Sequence, residues 1–218
     1  MDFFREKFPY YHDRCAHCGA STKDEKPSTT SEEDDDTHFV GYVYPSNEER
    51  QGKAARTEIY LCKHCDGFTR FPRYNSVIDI IRNKRGRCGE YAMLLYRILK
   101  CLGHQARWVV DWSDHVWAEI LLPPDVNESN ESHRWIHLDP CEAAVDKPYL
   151  YQEWGKKQTY IIAFCQDNIG LTPPIEDVTQ MYTTDNKATI AKRRQEPEPF
   201  VAAAINSQIE RIRRQEKL

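Results

Sequence analysis

Gly86-Arg87-Cys88-Gly89-Glu90-Tyr91 decides how this chain is read: a glycine-flanked cysteine in polar company stands directly before an apolar run. Tyr91, Leu94, Leu95, Ile98 and Leu102 follow the spacing of one helix face, and Gly103 suits its end. Cys88 is therefore expected at a helix N-terminus, where unpaired backbone N–H groups and the positive end of the dipole favour a thiolate over a thiol. A cysteine at a helix start also suits a small buried hydrophobe. Its partners along the chain have to decide between the two.

Working downstream, Arg107 to Trp112 reads as a strand, and Asp114 to Leu122 as a second with period-two alternation. Val116, Ala118, Ile120 and Leu122 are assigned to the buried face, so His115, Trp117 and Glu119 project together from the other. A polar loop with Pro123 and Pro124 closes a hairpin. The return strand Arg134 to Asp139 repeats the pattern, with Ile136 and Leu138 inward and Trp135, His137 and Asp139 on the opposite face. His115 and Asp139 thus share one expected surface.

A cysteine at a helix start, then a histidine and an aspartate on neighbouring strands, form the thiol version of nucleophile, base and orienting acid. Cys88 and His115 would share a proton as a thiolate–imidazolium pair, with Asp139 holding the ring tautomer. The Cys88 backbone N–H and the Trp117 indole N–H are the expected oxyanion donors. Cys101, Cys141 and Cys165 lack such surroundings, and Cys141, though close to Asp139, precedes no helix.

Upstream, Cys15-Ala16-His17-Cys18 and Cys62-Lys63-His64-Cys65 are two CxxC pairs able to close on one metal. Four thiolates make a tetrahedral zinc site, Zn2+ bound by Cys15, Cys18, Cys62 and Cys65, closed to solvent and hence structural. His17 and His64 stand inside the pairs as alternative ligands. Between them, Ser21 to Thr37, with Ser31-Glu32-Glu33-Asp34-Asp35-Asp36, reads as a disordered acidic loop. His38 to Tyr44 and Glu58 to Leu61 are expected strands that bring the second pair back to the first.

Phe3, Phe4 and Phe8 suggest a short docking helix, and Ser76 to Lys84 a helix with Val77, Ile78, Ile80 and Ile81 toward the core. Gln158 to Phe164 is an expected strand. The C-terminal part is expected to be helical in two pieces around Glu196-Pro197-Glu198-Pro199. In the last piece Val201, Ile205, Ile209 and Ile212 make a stripe ending in Arg211, Arg213, Arg214 and Lys217, which suit the dipole. The fold class is α+β, with a zinc-binding subdomain over residues 1–75 and a catalytic core with C-terminal helices over 76–218.

At 218 residues, 40% hydrophobic, the chain can bury one sizeable core or a core with a satellite. Acids outnumber bases by 34 to 30, so nothing global recruits nucleic acid or an anionic membrane. No apolar run approaches the ~20 residues of a bilayer span, and Met1 to Pro9 has no signal-peptide core. The eight cysteines are expected reduced, two pairs of them in CxxC spacing, in a cytoplasmic and also nuclear setting. Asn127-Glu128-Ser129 and Asn130-Glu131-Ser132 match a glycosylation acceptor without consequence there.

Gly86-Arg87-Cys88-Gly89-Glu90, Asp114-His115-Val116-Trp117, Trp135-Ile136-His137-Leu138-Asp139 and Lys147-Pro148, together with the paired CxxC, resemble the cytoplasmic peptide:N-glycanases of the transglutaminase-like superfamily. The resemblance runs from about Phe3 to the C-terminal helix. It implies a transglutaminase-like (papain-like) core and an amidase that removes N-linked glycans from denatured glycoproteins in ER-associated degradation. In that chemistry Cys88 forms a thioester with the asparagine side-chain carbonyl, His115 protonates the leaving glycosylamine, and water releases aspartate. Arg107, Trp117, Glu119 and Trp135 match family site positions and are expected at the substrate. Trp117 and Trp135 suit sugar faces, and Arg107 and Glu119 are expected either to pair or to bond sugar hydroxyls. The resemblance further implies a ubiquitin-receptor shuttle protein and proteasome-linked machinery as partners, through the terminal helices. Animal members carry flanking modules that this sequence lacks, so it reads as a fragment or a reduced form. A thiol protease or transglutaminase on the same triad, and an inactive zinc-ribbon adaptor, are the rival readings.

Overall fold

The computed structural model describes residues 1–8, 15–20, 37–124, 133–166 and 173–215. The acidic run, both glycosylation patterns and Lys217 lie outside the described residues. Two compact units emerge, Asp2–Tyr91 and Ala92–Leu218, the latter also counting Met1. The first is built on an antiparallel sheet of β1 (Thr37–Val43), β2 (Thr57–Cys62) and β3 (Phe68–Pro72), in that order. It also contains α1 (Asp2–Lys7), α2 (Asn47–Gln51) and α3 (Val77–Asn83). Helix α4 (Cys88–Cys101) starts in this unit and continues into the next.

The first unit combines buried Phe4, Tyr60, Phe71, Ile80 and Tyr91 with a dense set of ionic contacts. Its small core cluster is Tyr60 with Phe71. The Ser46 side chain and Glu49 make a capping box that starts α2. Glu49 also takes two hydrogen bonds of 2.8 Å from Arg70 and one of 2.9 Å from the Thr57 hydroxyl. The Arg70 hydrogen bonds hold its carboxyl down at about 2. Arg73 donates to Glu90 at 2.6 and 3.0 Å and to Glu58 at 2.9 Å, while Arg87 donates to Glu58 at 3.0 Å. Both guanidiniums lie over the Phe71 ring, at 5.4 and 5.3 Å.

This network explains why the contact boundary falls after Tyr91, later than the expected functional division after residue 75. Arg73, Arg87 and Glu90 bind the start of α4 to the first sheet. Ile80 of α3 is fully buried, but Ile78 and Ile81 are 60% and 44% exposed, so the expected inward face narrows to one residue in the middle. Seven residues make barely two turns, and a helix that short covers little core.

The second unit holds β4 (Ala106–Asp111), β5 (His115–Leu122), β6 (Arg134–Asp139), β7 (Ala144–Val145), β8 (Ile161–Phe164) and β9 (Ile175–Asp177). They form one antiparallel sheet in the order β7-β6-β5-β4-β8-β9. Helices α5 (Leu150–Glu153), α6 (Lys187–Arg193) and α7 (Glu198–Gln215), with a 3-10 turn at Thr179–Tyr182, complete it. On α7, Ile209 is buried and Val201, Ile205 and Ile212 are half-buried, as the stripe predicts. In α4 the buried face takes in Tyr91, Ala92, Leu94, Leu95, Tyr96 and Leu99. Leu102 lies past its end and is 68% exposed, so it drops out of the expected stripe.

The strand parity read from the sequence holds, and Ala118 and Ile136 are buried as assigned, but the face expected to project outward is buried as well. Registers Arg107↔Glu119, Val109↔Trp117, Asp111↔His115 and Glu119↔His137 put His115, Trp117, Glu119, His137 and Asp139 on one side of the sheet, with Arg107. That face is the more buried one. Trp117 and Glu119 are 0% and 1% exposed, whereas Leu122, expected inside, is 41% exposed. The reason is aromatic cover: Trp117 stacks on Tyr151 at 4.6 Å and packs against Tyr182 at 4.7 Å, in a cluster with Val109, Ile161, Ala163 and Val178.

Candidate active site and metal centre

Cys88 is the first residue of α4. The Tyr91 amide makes the first helical bond, to the Arg87 carbonyl at 3.0 Å, and the Glu90 carboxylate accepts the Arg87 amide at 3.0 Å. Cys88 therefore sits among the amides that a helix start leaves without intrahelical carbonyls, half-buried. Gly86 makes the approach possible. A Cβ there would lie 2.6 Å from the Tyr91 ring and 2.9 Å from Glu90 Cβ, so the turn before Cys88 has room only for hydrogen.

In the second unit a tight turn delivers His115 to the start of β5, with Asp114 in the left-handed region at φ 65°. Asp139 ends β6. Its Oδ2 receives His115 Nε2 at 2.6 Å and the Tyr151 hydroxyl at 2.8 Å. Its Oδ1 receives the amides of Cys141 at 2.8 Å and Glu142 at 3.3 Å, so the same side chain also caps the turn after β6. Burial alone would raise this carboxyl, but those donors, led by His115, hold it below the usual range. Because a carboxylate only accepts, His115 carries its proton on Nε2 and Nδ1 is the basic nitrogen. Cys141 is buried, with its amide committed to Asp139.

Arg107, Trp117 and Glu119 share the sheet face with this pair, but their polar atoms are spent inside the fold. The Trp117 indole donates to the Tyr182 hydroxyl at 2.8 Å, Tyr182 donates to Glu119, and Arg107 pairs with Glu119 and, at 2.6 Å, with Glu176. The indole N–H expected at an oxyanion is thus engaged with Tyr182. Half-buried Trp135 receives the Arg107 guanidinium over its ring at 4.1 Å. Of the alternatives open for Arg107 and Glu119, the ion pair is the one present. The residues this chain needed and the sequence reading missed are Tyr151 and Tyr182. Each sits in a four-residue element, too short for any periodicity to single it out.

The four cysteines come together in the first unit, their Sγ atoms all within 4.8 Å of one another. Cys15 and Cys65, and Cys18 and Cys62, are 3.6 Å apart, close to the ~3.8 Å edge of a tetrahedron with 2.3 Å metal–sulfur bonds. Each CxxC is a knuckle: the His17 and His64 amides point at Cys15 and Cys62 sulfurs at 3.3 and 3.4 Å. The backbone amides of Cys18, foremost, and His17 lower the Cys15 thiol to about 6. His17 turns its Nε2 to the Phe68 carbonyl at 3.0 Å rather than to the sulfurs. The four-cysteine group is positioned to bind a metal ion.

Comparison with known proteins gives these sites a context. The family model of the transglutaminase-like superfamily matches residues 38–140 of this chain. Beyond that match, the chain is similar to proteins named peptide-N(4)-(N-acetyl-beta-glucosaminyl)asparagine amidase. It is 32% identical to that of Gallus gallus over 95% of this chain and 28% of the relative. It is 32% identical to that of Saccharomyces cerevisiae over 96% and 52%, and 39% identical to that of Arabidopsis thaliana over 70% and 20%. The chain thus spans about half or less of the length of these curated relatives.

Proposed function

We propose that this chain is an amidase that releases N-linked glycans from denatured glycoproteins, converting the linking asparagine to aspartate. The observation that carries the reading is the 32% identity to the named amidases across 95% of the chain. The Cys88 thiolate attacks the side-chain carbonyl carbon of the glycosylated asparagine, and the carbon–nitrogen bond breaks as the imidazolium of His115 gives its proton to the departing glycosylamine. Water then adds to the thioester with His115 as base. The carbon–sulfur bond breaks, leaving aspartate on the peptide and the thiolate on Cys88. Asp139 keeps the imidazole oriented and stabilises its charged form. Arg107, Trp117, Glu119 and Trp135 act as the braced wall of this site.

The metal is Zn2+, held by four thiolates with no open position and therefore structural. The reaction belongs to the cytoplasm and nucleus, where cysteines outside any disulfide remain reduced. The similarity to the named amidases also motivates a ubiquitin-receptor shuttle protein as partner, meeting α1 and α7. Among the described residues no helix is long and apolar enough to cross a membrane.

The deciding experiment incubates a denatured glycopeptide with the protein and with Cys88→Ala, reading glycan release and the asparagine-to-aspartate mass change. Cleavage or cross-linking of unglycosylated peptide, without glycan release, would overturn the reading. Co-purification of this chain with a ubiquitin shuttle, lost on truncating α7, tests the partner. Metal analysis giving about one zinc per chain tests the cofactor.

A further inference from the structure

Tyr151 is the one buried hydroxyl among the described residues that reaches Asp139, and the proposed reaction as written leaves it without a part. Its ring is fully buried, stacked on Trp117 at 4.6 Å and set edge-on to His115 at 4.9 Å. Its oxygen lies 2.8 Å from Asp139 Oδ2 and 2.7 Å from His137 Nε2. Resting on the amidase reading, we propose that Tyr151 is a positioning residue of this reaction, its hydroxyl held by His137 so as to lock the Asp139 oxygen that orients His115.

Proton accounting allows one arrangement. Asp139 is a carboxylate and can only accept, so the single Tyr151 proton goes to Oδ2. The tyrosine oxygen must then accept from His137, which carries its proton on Nε2. Burial pushes the His137 imidazole down to about 4, so it is neutral, and its Nδ1 is left as an acceptor with no partner among the described residues. Hydrogen bonds therefore run from His137 to Tyr151 to Asp139, meeting the one from His115 at the same oxygen. With two donors on Oδ2 and two amides on Oδ1, the carboxylate has no freedom to rotate away from His115. The ring contributes separately by flanking the imidazole, which a phenylalanine would also do.

The charged and titratable groups around His115 among the described residues include Asp139 and His137 on β6, Asp111 opposite it on β4, Lys156 at 3.7 Å from Asp111, and Tyr151 on α5. Removing the Tyr151 hydroxyl leaves more of the Asp139 charge for the imidazolium, so His115 should hold its proton more tightly.

The test is Tyr151→Phe in the full chain, followed by NMR of the imidazole nitrogens and by kinetics on a glycopeptide. The His115 titration is expected to rise by about half a pH unit, and the alkaline limb of kcat/KM with it. Loosening of the ring is expected to lower kcat by about 10-fold at unchanged KM, with Tm within a few degrees. A folded Tyr151→Phe whose His115 titration and Nε2–H resonance match the parent would overturn the proposal. The NMR readout does not need turnover: if the parent releases no glycan, the amidase reading falls, while the titration still decides what Tyr151 does to His115. If Tyr151→Phe fails to fold, the parent's 15N shifts decide. His137 must show the Nε2–H form, and the Nδ1–H form would overturn the proposal.

Discussion

The two units of this chain are stabilised by different physics. The first has a core cluster of two aromatic rings, and around it run the Glu49–Arg70 pair, the Glu58–Arg73–Glu90–Arg87 network and four clustered thiols. The second has an aromatic and aliphatic cluster around Trp117, Tyr151 and Tyr182, with its ion pairs and histidines threaded through that cluster. The difference teaches where each kind of functional group belongs. A helix start bearing a cysteine can be set by charges near the surface. A histidine–aspartate pair that must keep one tautomer needs dry, packed surroundings.

All five tryptophans, Trp108, Trp112, Trp117, Trp135 and Trp154, fall in the second unit, so their fluorescence reports on that unit alone. The strongest way to break the comparison is to strip the proposed metal from the four-cysteine group. Four-thiolate sites contribute on the order of 10 kcal/mol to folding, so a strong chelator is expected to unfold the first unit by circular dichroism. A purely structural role for the metal predicts this with tryptophan emission largely kept. Retained structure in a verified metal-free sample would contradict it.

Asp139→Asn comes next. The amide can present an N–H to His115 and so favour the wrong tautomer, and about 10⁴-fold of kcat/KM is expected to go while tryptophan emission stays native. Arg107→Met is expected to cost about 3–5 kcal/mol in urea unfolding, because Glu119 remains buried without its cation. Gly86→Ala should cost about 1–3 kcal/mol, since its Cβ collides with Tyr91 and Glu90 at the foot of α4.

Acid separates the units most gently. His137 titrates at about 4 in the folded protein and near 6.5 when unfolded, so the unfolded chain binds the extra proton first as pH falls. The second unit therefore loses stability from about pH 6.5 down to about 4. Glu49, lowered from 4.5 to about 2, contributes stability that the first unit loses only between those values. Urea midpoints followed by tryptophan emission in metal-free protein should fall over the upper window, and Glu49→Gln should flatten the lower one. A tryptophan midpoint that stays level across the upper window would erase the distinction.

The start of α4, the strand pair β5 and β6, the shared side of His115 and Asp139, and the four-cysteine group were all legible from residue spacing. Turn residues, period-two alternation and CxxC knuckles are local geometry, set within a few bonds of the residues that show them. What spacing could not reveal was which side of the sheet would be covered. Trp117 and Glu119 look outward by polarity, yet residues 34 to 65 positions further on lie over them.

The sequence by itself therefore determined which side chains can do chemistry and which face they share, because alternation and capping are written in neighbouring residues. Only the tertiary structure decided how they are held. Tyr151 on α5 and Tyr182 in the 3-10 turn come from distant parts of the chain, and their rings and hydroxyls turn a polar strand face into a buried hydrogen-bonded one. Burial is a property of what packs on a surface, and no local pattern in that surface specifies it.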